Sequence, residues 1–254
     1  MILSLDFELA RSYKSQSQKI RIISESWVKN QIYCPSCGLE IKEYPPGKPV
    51  ADFFCLNCKE DYELKSKQDC IPFKIVNGAY KTMMERLVSE KNPNLFLLNY
   101  SLKTISVVDF LVVPKHFFVP QIIQKRKPLS ISARRHGWVG CNIVLDGVPE
   151  VGRVFLVKNG TIQPKTEVIQ NWRKTLFLRN ENIEMRGWIV DILNCIEQMG
   201  KRDFTLSEMY DFESLLKELH PANFHIKDKI RQQLQVLRDK GYLEFSGKGK
   251  YQVL

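Results

Sequence analysis

Four cysteines have the spacing of metal ligands. Cys34 and Cys37 form one C-x2-C pair and Cys55 and Cys58 a second, with seventeen residues between the pairs. A tight turn brings both thiolates of each pair to one ion, and four thiolates leave no position open for water, so a zinc held there is structural. Unrelated or redox-active thiols are the alternative, and the spacing disfavours them. Threaded through the same segment are Asp52, three residues before Cys55, and Glu63-Leu64-Lys65, which begins five residues after Cys58. Alternate side chains of an extended strand share a face, so Glu63 and Lys65 point one way while Tyr62 and Leu64 point the other. If the strands flanking the second cysteine pair form a hairpin, Asp52 comes beside Glu63. Two carboxylates and an ammonium on one surface suit phosphodiester hydrolysis: the acids fix Mg²⁺, the ion polarises a phosphoryl oxygen and acidifies a water, and the lysine orients that water or stabilises developing charge. By spacing alone, a solvated strand face accounts for the same three residues equally well.

These residues need elements to hold them. Helical spacing of Ile20, Ile23 and Trp27 predicts one or two helices over residues 1 to 30, with no visible chemistry. The cysteine segment, from Tyr33 to Lys67, has a Pro-Pro-Gly turn at 45 to 47 and ends in the strand-like DYELKSK. An amphipathic helix is predicted over 79 to 91 and buried strands over 95 to 102 and 105 to 114. Further strands at 139 to 145 and 153 to 158, and a helix around VIQNWRKTLFL, complete a first α/β domain over residues 1 to 180. A short polar break, NENIE, opens a second domain over 181 to 254. Its pattern predicts helices at 184 to 199, 205 to 219 and 225 to 240, then two short strands about a Ser-Gly-Lys-Gly-Lys turn.

The 254 residues carry a net charge of +10, from 38 Lys and Arg against 28 Asp and Glu, which favours a polyanionic partner. Nucleic acid and an anionic membrane surface both satisfy that balance. No apolar run reaches the ~20 residues of a spanning helix, and the first residues, MILSLDFELARSYK, carry acids where an export signal carries bases. The expectation is a cytoplasmic protein without a membrane partner, whose reducing surroundings favour metal-bound over disulfide-bonded cysteines. Cys70, Cys141 and Cys195 lack partners at ligand spacing and read as small core residues. His116, His220 and His225 have no triad-like setting, and no Gly-rich phosphate cradle or site for an organic cofactor is visible.

The last thirty residues hold seven Lys and Arg against three Asp and Glu. Within 225 to 240, Ile226, Ile230, Leu234 and Leu237 form a core stripe, opposite which lie Asp228, Gln232, Gln235 and Asp239, flanked by Lys227, Arg231 and Arg238. Three helices followed by a Gly-Lys hairpin resemble a winged helix, whose third helix enters the major groove while the hairpin touches phosphate. Gln232 or Gln235 is then placed for an adenine edge, and Lys227, Arg231, Lys248 and Lys250 for backbone phosphates. An amphipathic helix serving a protein interface is the alternative. A second DNA-contacting candidate is Arg134-Arg135-His136-Gly137-Trp138, in which arginines hold phosphate and Trp138 stacks on or wedges between bases, unless the tryptophan is simply core.

Asp52, Glu63 and Lys65 resemble the PD-(D/E)xK nuclease motif, although Ala51 precedes Asp52 and the nearest proline is Pro49. The resemblance implies a mixed sheet flanked by helices and a metal contact from the backbone carbonyl of Leu64. Together with the cysteine pairs, the RRHGWVGCNI stretch and the HIKDKIRQQLQVLRDKGYLEF ending, nearly the whole chain resembles the Dam-replacing family of restriction endonucleases. That resemblance implies cleavage of double-stranded DNA at GATC sites containing N6-methyladenine. An N6-methyl group leaves one N–H donor and N7 available and adds apolar surface, so its reader needs a polar contact beside an aromatic wall, for which Trp138 is the candidate. The expected products carry 5′-phosphates, and one active site per chain requires a transient dimer or two successive nicks by a monomer. A zinc-containing winged-helix regulator that binds without cutting is the alternative from another class, and a structure-reading repair nuclease is a third.

Overall fold

The computed structural model describes residues 1–45, 51–89 and 92–254. A single 3-10 turn at Glu8–Ala10 precedes helix α1 (Gln16–Gln31). The cysteine segment supplies two short strands, β1 (Lys42–Glu43) and β2 (Phe53–Phe54), and then the longer β3 (Asp61–Gln68). Strand β4 (Lys74–Ala79) runs directly into α2 (Tyr80–Leu87), and β5 (Asn94–Ser101), β6 (Ser106–Val113), β7 (Ile123–Lys125), β8 (Gly140–Val144), β9 (Val154–Lys158) and β10 (Thr161–Ile162) follow. Helix α3 (Lys165–Thr175) and a 3-10 turn (Leu176–Asn180) close the first part. Pro46 and Gly47 of the expected turn, Pro49, and the last residues of the expected 79 to 91 helix, Glu90 and Lys91, lie outside the described residues.

Seven strands form a mixed sheet in the order β1-β2-β3-β5-β6-β9-β10, in which only the β3–β5 pair is parallel. The Leu-rich β5 is buried along both faces, its apolar residues 95–98 flanked by the buried Asn94 and Asn99. One face packs under α1 and α3 through Trp27, Tyr62, Phe96, Phe110, Leu156 and Trp172. From the other face, Leu95, Leu97, Leu111 and Val113 continue the core toward a second sheet, β4-β8-β7. Neither β4 nor β7 is apparent in the sequence. Each is short and half exposed, and their shared partner β8 is distant along the chain.

The remaining chain forms α4 (Ile183–Met199), β11 (Asp203–Thr205), α5 (Leu206–Tyr210), α6 (Glu213–Leu219), α7 (Ile226–Asp239), β12 (Leu243–Gly247) and β13 (Lys250–Val253). The Asn182 side chain accepts from the amide of Met185 to start α4, and Gly200, at φ +64°, ends it in the left-handed region. Two differences from the sequence reading stand out. The predicted second helix is two, because the amides of Asp211 and Phe212 turn back to Glu208 and Met209 and tighten the path by one residue per turn. The wing has three strands, with β11 pairing the far side of β13, and three residues are too few to show a period of two. The core of this part, including Trp188, Ile192, Met209, Ile230 and Leu234, is continuous with that of the first part through Phe117, Val119 and Val148.

Candidate active site

The four cysteine Sγ atoms all lie within 4.8 Å of one another, with Cys34 to Cys58 at 3.4 Å and Cys37 to Cys55 at 3.5 Å. A tetrahedron of Zn–S bonds of ~2.3 Å has edges of ~3.8 Å, so the thiolates fit a zinc ion and can hold one. Among the described residues this is the only such cluster of metal-ligating side chains. Cys141 and Cys195 are buried apart from it and Cys70 is exposed. Two neighbours support the cluster. Tyr62 presents its hydroxyl at 3.0 Å from Cys34 Sγ, while its ring stacks on Phe96 at 4.3 Å. Glu60, buried beside Cys58, accepts from Arg179 at 2.6 Å and from the Asn94 amide at 2.9 Å, with Lys115 Nζ at 3.6 Å. This ion cluster anchors the turn between β2 and β3 to the end of the first part.

The turn aligns the acids. Phe53 pairs with Tyr62 and Phe54 with Asp61, and the Asp52 amide donates to the Tyr62 carbonyl, which continues the antiparallel register so that Asp52 stands opposite Glu63. The named pairing of β2 ends there, and β3 runs on past Glu63 as a sheet edge. At that edge Asp52 Oδ2 accepts the Leu64 amide at 2.7 Å. In an extended strand the N–H and C=O of one residue point to the same side, so the Leu64 carbonyl faces the same edge. Glu63 and Lys65 share a face, with Lys65 Nζ 2.6 Å from the Glu63 carboxylate. Asp52, Glu63, Leu64 and Lys65 thus line one cleft of about 590 Å³, whose opposite wall is α1. On its other side Glu63 borders a smaller recess with Asn77, Gly78 and Thr82, where β4 meets α2.

The loop between β7 and β8 rises next to that recess, its base pinned by the Tyr80 amide on the Val139 carbonyl. Arg134 and Arg135 are exposed, and the Arg135 guanidinium lies over the Trp138 ring at 4.8 Å. Trp138 is neither core nor free. Half-buried, it lies against the backbone of Gly140, where an added Cβ would come within 2.8 Å of its ring.

In the C-terminal part, Gln232 and Gln235 are exposed on α7 opposite the buried Ile226, Ile230, Leu234 and Leu237. Lys227 lies 3.3 Å from Glu213 and Arg231 bonds Asp228 at 2.7 Å, so both cations have partners within the domain. Lys248 and Lys250 are exposed at the tip of the β12–β13 hairpin. His220 bonds Asp191 at 2.7 Å and stacks on Trp188 at 3.6 Å, a contact within the domain core.

Residues 1–181 match the DpnI model, described as the Dam-replacing family, and residues 184–253 match the Dam-replacing HTH domain. The chain belongs to the Dam-replacing family. This Dam-replacing protein is therefore a nuclease of the methylation-dependent restriction-enzyme class, and its HTH domain makes DNA its partner. No helix among the described residues is long and apolar enough to cross a membrane. Sequence reasoning overlooked Tyr62, Glu60 and the α1 wall of the cleft. Only the position of Tyr62, one residue before an acid and on the opposite strand face, hinted at a role beside the thiolates.

Proposed function

We propose that this protein is a type II restriction endonuclease that hydrolyses double-stranded DNA at GATC sites containing N6-methyladenine, with residues 1–180 forming the endonuclease domain and 181–254 a winged-helix DNA-binding domain. The observation that carries the proposal is the meeting of Asp52, Glu63, the Leu64 carbonyl and Lys65 at one open strand edge inside a cleft. A non-cutting regulator has no use for that meeting.

The acids and the Leu64 carbonyl form an all-oxygen donor set, which suits a hard divalent ion such as Mg²⁺. When bound, the ion supplies Lewis acidity toward the phosphoryl oxygen and lowers the pKa of a coordinated water. The protein's own groups do the rest. Asp52 keeps its carboxylate at the edge by accepting the Leu64 amide, and Glu63 holds Lys65 in place until substrate arrives. Lys65 then positions the attacking water and faces the charge that develops on phosphate. Cys34, Cys37, Cys55 and Cys58 hold a structural zinc that fixes the turn between the strands.

Two surfaces do the reading. Arg134 and Arg135 take phosphates beside the cut, and Trp138 provides the apolar wall for the N6-methyl group, pre-set by its stacking under Arg135. Gln232 and Gln235 meet base edges in the major groove, with Lys227, Arg231, Lys248 and Lys250 on the backbone. The protein acts in the cytoplasm, on one strand per cleft, as a monomer making two successive nicks or as a transient dimer.

Plasmid prepared with and without adenine methylation at GATC tests the proposal, with Mg²⁺ or with chelator, and with Trp138→Ala beside the parent. The parent should digest only methylated plasmid and only with Mg²⁺, while Trp138→Ala should narrow the preference by about tenfold. Digestion of both plasmids alike by the parent, or of neither, would overturn it.

A further inference from the structure

Helix α1 carries more than packing. Ile23, Trp27 and Val28 bury one side of it against the sheet, and Ile20, Arg21, Ser24 and Glu25 line the cleft across from Asp52 and Glu63. Arg21 Nε donates to Glu25 Oε1 at 2.7 Å. Its two terminal nitrogens have no partner among the described residues. The Glu25 side chain is 19% exposed and that of Arg21 63%, so the carboxylate is tucked under a guanidinium that reaches outward.

On most helices such an i,i+4 pair lies on the surface and adds little to stability. Here it stands in a cleft that already holds two other carboxylates. Burial raises the Glu25 pKa, Arg21 opposes that rise, and Asp52 and Glu43 add to it. A phosphodiester entering this cleft meets Asp52, Glu63 and Glu25, and the cation beside the strand-borne acids, Lys65, is engaged by Glu63. Electrostatic balance calls for a second cation aimed at phosphate. A guanidinium held by Nε leaves its terminal amino groups as a planar fork, which matches two phosphate oxygens.

We propose that Arg21 binds a non-scissile phosphate of the strand being cut, and that Glu25 is a positioning residue that holds the guanidinium at the mouth of the cleft. The inference rests on the nuclease reading given above and deepens it, by making α1 the element that seats the backbone against the acids.

Single-turnover cleavage tests this, with the parent, Arg21→Ala, Arg21→Lys and Glu25→Gln acting on a duplex with one methylated GATC site. A parallel set of duplexes carries a neutral methylphosphonate at one phosphate at a time on either side of the cut. Arg21→Ala should cut the unmodified duplex at least tenfold more slowly, Arg21→Lys should recover part of that loss, and Glu25→Gln should fall between. At one methylphosphonate position the parent should drop to the Arg21→Ala rate and Arg21→Ala should lose nothing more. A merely structural arginine would not move that last readout, and its exposed side chain leaves folding unaffected, which equal melting temperatures will verify. Arg21→Ala cutting within twofold of the parent, or losing as much as the parent at every modified position, overturns the inference alone. A parent that leaves methylated duplex uncut removes the nuclease reading and this inference with it.

Discussion

Tyr62 shows how one side chain serves two sites. Its ring fills the core against Phe96, its hydroxyl meets Cys34 Sγ, and its neighbour Glu63 faces the cleft. A hydroxyl that donates to a thiolate offsets part of its charge and fixes its direction, and the loss of such a supporting contact lowers metal affinity by roughly 10–100-fold. Tyr62→Phe keeps the stacking and deletes the hydrogen bond. It should release zinc to a competing chelator at about tenfold lower chelator concentration, and unchanged competition would show the contact to be incidental. The cysteine spacing was legible in the sequence because four ligands of one ion must repeat a turn geometry, and that repeat is local. The support from Tyr62 was not, because it joins residues 28 apart through a register that only folding sets. Arg21 and Glu25 were hidden for a related reason: an i,i+4 ion pair looks the same on any solvated helix.

At the scale of elements, β3 organises the site. Its first residues complete a hairpin, its middle is a free edge with acids, and its whole length pairs with β5 in the core. The buried β5 and the amphipathic α7 were readable because each pattern is local, a short apolar run in the one and a helical period in the other. Strands β4, β7 and β11 were not, since their pairing with residues far along the chain outweighs weak local preference. The 3-10 turn Lys115–Phe117 supplies a pH-dependent link to α3. His116 Nε2 lies 2.8 Å from Thr175 Oγ1, whose own proton goes to the Trp172 carbonyl, so the imidazole must donate from Nε2. Its Nδ1 is buried without a partner among the described residues, and burial, followed by Arg179, Arg186 and Lys115, depresses its pKa to about 3. Below the usual pKa of ~6.5 the unfolded chain gains a proton that the folded chain refuses, so stability falls as pH drops through that range. Between pH 7.5 and pH 5 the loss from this group should be about 2 kcal/mol, read from urea midpoints. His116→Gln retains a donor toward Thr175 and should lose less over the same interval; an identical slope in both proteins would contradict the assignment.

Across the whole molecule, the net charge of +10 sits beside a cleft rich in acids. Arg134 and Arg135 on the β7–β8 loop, Lys248 and Lys250 on the wing and Arg21 on α1 are exposed, where they attract a polyanion, while Asp52 and Glu63 line the cleft at the open edge of β3. The continuous core between the two parts gives loop and wing a common frame. The proposed function has Asp52 and Glu63 share a divalent ion across that edge. Its most direct test is the single-turnover cleavage rate of zinc-loaded parent and Asp52→Asn on a methylated duplex at saturating Mg²⁺, with DNA affinity measured alongside. A rate loss on the order of 10³-fold is expected, with affinity changed only a few-fold. Cleavage by Asp52→Asn within tenfold of the parent would contradict it.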